Sequence, residues 1–226
     1  MVRLRLSAII FAICATQAFA GEVTIGAVSV SLTAPSGYCE LDDKHEDDAR
    51  VLKSLSALVN QSKLLAVYAA CEQLKDFRSG KRTYLSEYAE YFIPLVVVGA
   101  NAPVSVVKMI CGKLLDRKDV DARLRKIITD AGPRIQDTIK DLQIGETRFL
   151  GVLDEEPNVC YFAVLQKIQA GQGDQITTIN LTANTVIKRK LLTYTVFAPY
   201  VDETTLSNLL KKQKENVREL AAANYH

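Results

Sequence analysis

The chain has 226 residues and a formal net charge of +2, with 48% apolar and 24% charged residues. That balance belongs to a globular chain with a core of useful size. It excludes a disordered tail, a collagen-like fibre and a multi-span membrane protein.

Residues 1–20 read as a signal peptide rather than as part of the fold. Arg3 and Arg5 open the segment, an apolar stretch runs from Ala8 to Ala15, and Ala18-Phe19-Ala20 offers the small-x-small pattern of a cleavage site ahead of Gly21. The apolar stretch is short for a membrane span. Ile13 is too bulky to precede a lipidated Cys14. Arg3 and Arg5 are the segment's only charged residues, so its loss removes the whole surplus of positive charge. A neutral mature chain gives no electrostatic basis for nucleic acid as a partner.

Cleavage also takes Cys14 and leaves Cys39, Cys71, Cys111 and Cys160. An even cysteine count in an exported chain points to up to two disulfides. Cys39 with Cys71 is the favoured pair, flanking one helix. Cys111 and Cys160 either pair by elimination or stay as buried thiols. No CxxC occurs, so nothing supports a redox motif or a zinc ribbon.

Along the rest of the chain, Val23 to Leu32 alternates as one strand and Pro35-Ser36-Gly37 breaks it. An acidic run, Glu40 to Asp48, leads into a helix from Asp47 to Asn60. Its acids complement the positive end of the helix dipole. Leu64 to Cys71 reads as a buried strand and Glu72 to Gly80 as a short helix. Tyr84, Tyr88, Tyr91 and Phe92 fall at roughly helical spacing and form a packing face. Tyr91 to Val107 carries no charge, but Pro94, Gly99, Asn101 and Pro103 interrupt it before it could span a bilayer. Residues 103–142 read as a helical insertion divided at Gly132-Pro133. The last third is β-rich. Asp154 to Asn158 and Thr182 to Thr185 are the expected hairpin turns. A closing helix runs from Asp202 to Ala223, capped by Asp202 or Thr204, with Leu206, Leu209, Leu210, Val217 and Leu220 facing inward.

The catalytic vocabulary is sparse. Past the signal peptide the histidines are His45, in the acidic loop, and His226. Schemes built on a histidine base therefore have little to work with. Glu40, Asp42, Asp43, Glu46, Asp47 and Asp48 do not match an EF-hand, because the glycine is missing and Lys44 and His45 intervene; a solvated capping loop is expected. Lys188, Arg189 and Lys190 form a basic cluster opening a strand, and Lys113, Arg117, Lys118, Arg123, Arg125 and Lys126 face Asp116, Asp119 and Asp121 along a charged helix surface. Gly171-Gln172-Gly173 reads as a turn rather than a phosphate loop. No catalytic, metal or cofactor residue is assigned.

The element order carries one resemblance. A first strand leads to Pro35-Ser36-Gly37-Tyr38. Meandering strands precede Leu191-Leu192-Thr193-Tyr194-Thr195-Val196, and an amphipathic helix closes the chain. This order resembles the PsbP-like α-β-α sandwich proteins and uncharacterised secreted proteins of alphaproteobacteria, over residues 23–70 and 145–222. The resemblance implies an accessory or binding role and carries no functional residue across. The expectation is one α+β domain over 21–226, a mainly antiparallel sheet flanked by helices. Its function is that of an exported periplasmic accessory or binding protein for another protein or a small ligand, with no cofactor. A carboxylate-based hydrolase and a membrane-peripheral protein using residues 91–107 are the alternatives.

Overall fold

The computed structural model describes residues 21–225 apart from 60, 117–118, 127–128, 130–141 and 171–174. The expectations for the signal peptide, for Arg117 and Lys118, for the break at Gly132-Pro133, for Gly171 to Gly173 and for His226 lie outside the described residues.

The chain begins with a hairpin, β1 (Gly21–Ile25) and β2 (Val28–Leu32), where a single strand was expected. Gly26 makes the difference. Its φ is +61°, the first position of a two-residue reversed turn, and a Cβ there would sit 3.0 Å from the Val98 carbonyl oxygen. After the hairpin come β3 (Tyr38–Glu40), α1 (Glu46–Leu58), β4 (Ser62–Ala70), α2 (Cys71–Arg78) and β5 (Tyr88–Pro94). Tyr88, Tyr91 and Phe92 are therefore in a strand rather than a helix, and Tyr84 lies in the bend that precedes it. Tyr91 faces one side of the sheet, and Tyr88 with Phe92 faces the other.

A 3₁₀ turn (Leu95–Val97), α3 (Ser105–Leu114) and α4 (119–126) connect β5 to the far edge strand. That strand, β6 (Leu142–Glu156), starts where the helical section was expected to end. Three further strands and a helix follow: β7 (Val159–Ala170), β8 (Ile176–Ile187), β9 (Lys190–Pro199) and α5 (Glu203–Ala222). The main sheet has seven strands in the order β3-β4-β5-β9-β8-β7-β6, with every neighbouring pair antiparallel. The α+β class holds, with helices on both faces. No helix among the described residues is long and apolar enough to cross a membrane.

Alternation divides the sheet's side chains between two cores. On one face Tyr68, Tyr91, Tyr161, Tyr194, Leu181 and Ala183 pack beneath β1–β2 and α5, which contributes Leu209, Val217 and Leu220. On the other face Val67 and Ala69 receive α1 and α2, while Cys160, Val186 and Leu191 receive α3. Both disulfides pin helices to this second face. Cys39 in β3 reaches Cys71 at the start of α2, with Cα atoms 4.9 Å apart. Cys111 in α3 reaches Cys160 in β7, at 5.7 Å. Closing loops of 32 and 49 residues contributes on the order of 4 kcal/mol each in the chain-entropy picture.

The second hairpin turn is displaced from its expected place. Thr182 to Thr185 run through the middle of β8, and the chain reverses at Lys188-Arg189. The small polar residues of β8 make cross-strand pairs instead of a turn. Thr182 Oγ1 lies 3.0 Å from Thr195 Oγ1, and the Thr193 hydroxyl donates to Asn184 Oδ1 at 2.7 Å. Lys188 and Arg189 both have positive φ, 46° and 64°, as a type I′ turn requires and as side chains with a Cβ resist. Their neighbours hold them. The Lys188 amide donates to Tyr225 Oη at 2.9 Å, and the Ala102 amide donates to the Arg189 carbonyl at 2.8 Å. Lys190, 3% exposed, donates its ammonium to the carbonyls of Val98 and Ala100. Glycine relieves the strain at such a position, so Arg189→Gly should stabilise the fold by about 1 kcal/mol and raise the melting temperature by roughly 2–4 °C. Calorimetry would check this; a lower melting temperature would mean that the Arg189 side chain contributes more than its backbone costs.

Candidate functional site

Helix α5 is cut to shape by its sequence. Asp202 caps it, accepting from the Thr205 amide at 3.0 Å while Thr205 Oγ1 accepts from the Asp202 amide, a reciprocal capping box. Its buried stripe is Leu209, Gln213, Asn216, Val217 and Leu220. Two of those five side chains are amides, which the hydrophobic pattern of the sequence does not single out. Gln213 is 1% exposed and Asn216 is 3% exposed.

Each amide spends its nitrogen on the sheet. Gln213 Nε2 donates to the carbonyls of Leu181 (2.8 Å) and Tyr194 (3.2 Å), on β8 and β9. Only an NH₂ group can bridge two carbonyl oxygens, so this end of the amide is fixed. Asn216 Nδ2 donates at 2.7 Å to the hydroxyl of Tyr91, which passes its own proton to the Thr33 carbonyl at 3.0 Å. A tyrosine hydroxyl has one proton to give, and Thr33 takes it, so Asn216 must present nitrogen rather than oxygen. Further along, Asn224 accepts from the Ser31 amide and donates to the Ser31 and Leu220 carbonyls, tying β2 to the end of the helix.

The leftover atoms are then determined. Gln213 Oε1 and Asn216 Oδ1 are buried without a hydrogen-bond partner among the described residues. An unmade hydrogen bond at such an atom costs about 1–3 kcal/mol. Both residues line a cleft of about 280 Å³ between α5 and the Pro35–Tyr38 turn, shared with Tyr38, Tyr194, Glu215 and Glu219. That turn is tight. The Tyr38 amide donates to the Pro35 carbonyl at 2.9 Å, with φ of +81° at Gly37, as in a type II turn. The Cys39–Cys71 bridge and the bond from the Cys71 amide to the Gly37 carbonyl, 3.0 Å, hold it against α2. Below the cleft Tyr194 stacks on Tyr91, with ring centroids 4.5 Å apart, and Tyr91 meets Tyr68 edge to face at 6.1 Å. Burial, reinforced by the Glu87 charge, pushes the Tyr38 hydroxyl up to about 12, and burial holds Tyr194 well above the usual tyrosine range. Both therefore remain neutral at physiological pH.

The structure distributes the sequence candidates elsewhere. Cys39, Cys71, Cys111 and Cys160 are all in disulfides. The acidic run is a capping loop with one buried member. Asp48 is wholly buried, accepts from the Asp42 amide at 2.9 Å and pairs with Arg78 of α2. His45 is exposed at the start of α1. No group of three or more metal-ligating side chains forms among the described residues. Asp154 and Glu156 sit together but are engaged by Lys214. Arg123 pairs with Asp119 one turn away on α4. In the charge-free segment Leu95, Val96 and Val104 are exposed.

The acid with the most altered ionisation lies on the opposite face of the sheet from the cleft. Glu90 of β5 sits between Val67 and Thr195, is 5% exposed and leaves Oε2 without a partner among the described residues. Burial alone raises its carboxyl to about 7. It was absent from the sequence-based candidates because one acid in an apolar strand has no spacing signature.

No family model and no curated protein matches the chain. Among solved structures it is distantly similar to the Ran-binding protein Mog1p of Saccharomyces cerevisiae, at 11% identity and a TM-score of 0.29, with 91% of this chain and 92% of that one covered. At that score the likeness fixes neither fold nor function.

The Glu90 environment predicts a pH dependence. Its carboxyl is higher in the folded state than the ordinary 4.5, so the folded protein binds the extra proton. Stability should be greatest below about pH 4.5 and fall as pH rises towards 7, for this group taken alone. Glu90→Gln should remove that decline and stabilise the protein at pH 8 by about 2–4 kcal/mol. Thermal unfolding of both proteins between pH 4 and 8 would show it. Parallel curves would mean that the carboxylate finds compensation in the folded state.

Proposed function

We propose that this chain is an exported, non-catalytic binding protein, and that its ligand occupies the cleft between α5 and the Pro35–Tyr38 turn. One observation carries the reading: Gln213 and Asn216, each with a buried amide oxygen that has no partner among the described residues, stand in the wall of a concave site of small-molecule scale. The two disulfides favour an oxidising compartment, as the signal-like segment 1–20 does.

The distribution of acids supports a binding role over a hydrolytic one. A carboxylate-based hydrolase separates the ionisation of two acids in one concave site. Here Glu90, the carboxyl raised to about 7, is on the far face of the sheet from the cleft. Glu215 and Glu219 line the cleft from exposed positions one helical turn apart.

A ligand-observed NMR screen of small neutral, cationic and anionic compounds tests the site. The control is Ser36→Trp, which places an indole on the exposed turn at the cleft's mouth. Binding that is lost in Ser36→Trp, with the melting temperature unchanged, is the expected outcome. Binding that survives the substitution would place the ligand elsewhere on the molecule.

A further inference from the structure

The apolar surface left outside the cores is concentrated in one stretch of chain. Among the described residues eight large apolar side chains are exposed, and five of them, Leu95, Val96, Val104, Met109 and Leu115, come from that stretch. A sixth, Tyr225, sits at the turn between β8 and β9, where its hydroxyl accepts from the Lys188 amide. The same turn holds the stretch, because the Arg189 carbonyl accepts from the Ala102 amide. Single exposed apolar residues are ordinary, whereas a group of them marks a surface that meets something.

The loop is fixed in place while it displays these side chains. Val97 and Ala102 turn inward onto the cores. The Leu95 amide donates to the Gln61 carbonyl at 2.9 Å, and the Lys190 ammonium holds the Val98 and Ala100 carbonyls. The Cys111–Cys160 bridge fastens α3, which carries Met109, to the sheet. Val96, between the inward contacts, is left 89% exposed.

The charge beside these residues has one sign. From Tyr91 to Leu115 the chain holds no acid, and its charged residues are Lys108 and Lys113, both exposed on α3. Arg189 adds an exposed cation from the β8–β9 turn. None of the three is in an ion pair among the described residues. Glu155 and Glu156 lie at the neighbouring β6–β7 turn, and Glu156 faces Lys214 and Arg218 of α5 instead.

An exposed apolar loop flanked by unpaired cations fits a bilayer with anionic headgroups. Apolar tips enter the boundary between headgroups and acyl chains, and cations stay at the phosphates. A tyrosine is suited to the same boundary. A second copy of the chain fits less well, because pairing like surfaces would set Lys108, Lys113 and Arg189 against one another.

We infer that the loop from Leu95 to Val104 and the outer side of α3 form a peripheral docking surface for an anionic bilayer. Leu95, Val96 and Val104 enter the interface, and Lys108, Lys113 and Arg189 meet lipid phosphates. The surface shares no residue with the cleft and does not rest on the ligand reading above.

Sedimentation with lipid vesicles tests this on the protein as purified from cells. Vesicles of phosphatidylcholine and phosphatidylglycerol, in roughly a 2:1 ratio, should bind it at least roughly tenfold more tightly than phosphatidylcholine alone, and added salt should release it. Val96→Asp should weaken binding by roughly tenfold or more. Lys108→Gln should weaken it by roughly fivefold. Lys211→Gln makes the same charge change at an exposed position of α5, on the opposite face of the sheet, and should leave binding unchanged. All three positions are exposed, so unchanged melting temperatures should accompany these effects. Failure to bind the anionic vesicles, binding that Val96→Asp leaves intact, or equal losses in Lys108→Gln and Lys211→Gln would overturn the inference. A concentration-dependent dimer that Val96→Asp dissolves would also overturn it, because a second copy would then cover the loop.

Discussion

The attachment of α5 to the sheet is the contact on which the cleft depends. A helix with only apolar residues on its inner stripe would slide and rotate on a greasy surface. This one carries Gln213 and Asn216 in that stripe and Asn224 just past its end. The three reach backbone carbonyls on β8 and β9, the hydroxyl of Tyr91 on β5, and the backbone of β2. Hydrogen bonds have direction where hydrophobic contact does not, so they set register as well as adhesion. Their cost is the burial of whole amide groups, of which the geometry satisfies the nitrogens of Gln213 and Asn216 and not the oxygens. The unpartnered oxygens are therefore a consequence of how the helix is held, and the residues that carry them stand in the cleft wall.

The opposite lip is held by covalent means. The type II turn at Pro35–Tyr38 is short, and β3 after it has only three residues. A strand that short at a sheet edge has little stability of its own. Cys39 and Cys71 tie it to the start of α2, and Asp48 with Arg78 ties α1 to α2 nearby. A rigid helix on one side and a bridged turn on the other keep the cleft preformed, which lowers the ordering cost of binding.

Much of this fold was legible in the sequence. The acids ahead of Val51, the apolar run Leu64 to Ala70 and the Asp202 cap each signal one local structure strongly, and α1, β4 and α5 appear close to where those signals place them. The Cys39–Cys71 pair was legible too, because its residues flank a single compact unit. Reading failed where both faces of a strand are buried. Tyr88, Tyr91 and Phe92 look helical at their spacing because the sheet is covered on each side, so apolar residues need not alternate. Thr182 to Thr185 look like a turn because threonine and asparagine serve turns and cross-strand polar pairs equally well. Lys188 and Arg189 hide the real turn, since their neighbours impose a conformation that glycine or asparagine would announce. The cleft was not legible. Its key residues are two amides on an amphipathic helix, and only the folded contacts show that their nitrogens are used and their oxygens are not.

The side-chain amide resonances of Gln213 and Asn216 test this account most directly. With selective labelling, the NH₂ protons of both residues can be followed in the free protein. The account predicts NH₂ protons that are protected from solvent exchange, because they are bonded to the sheet. NH₂ protons that exchange freely would contradict it, because the amides would then not be spent on the sheet.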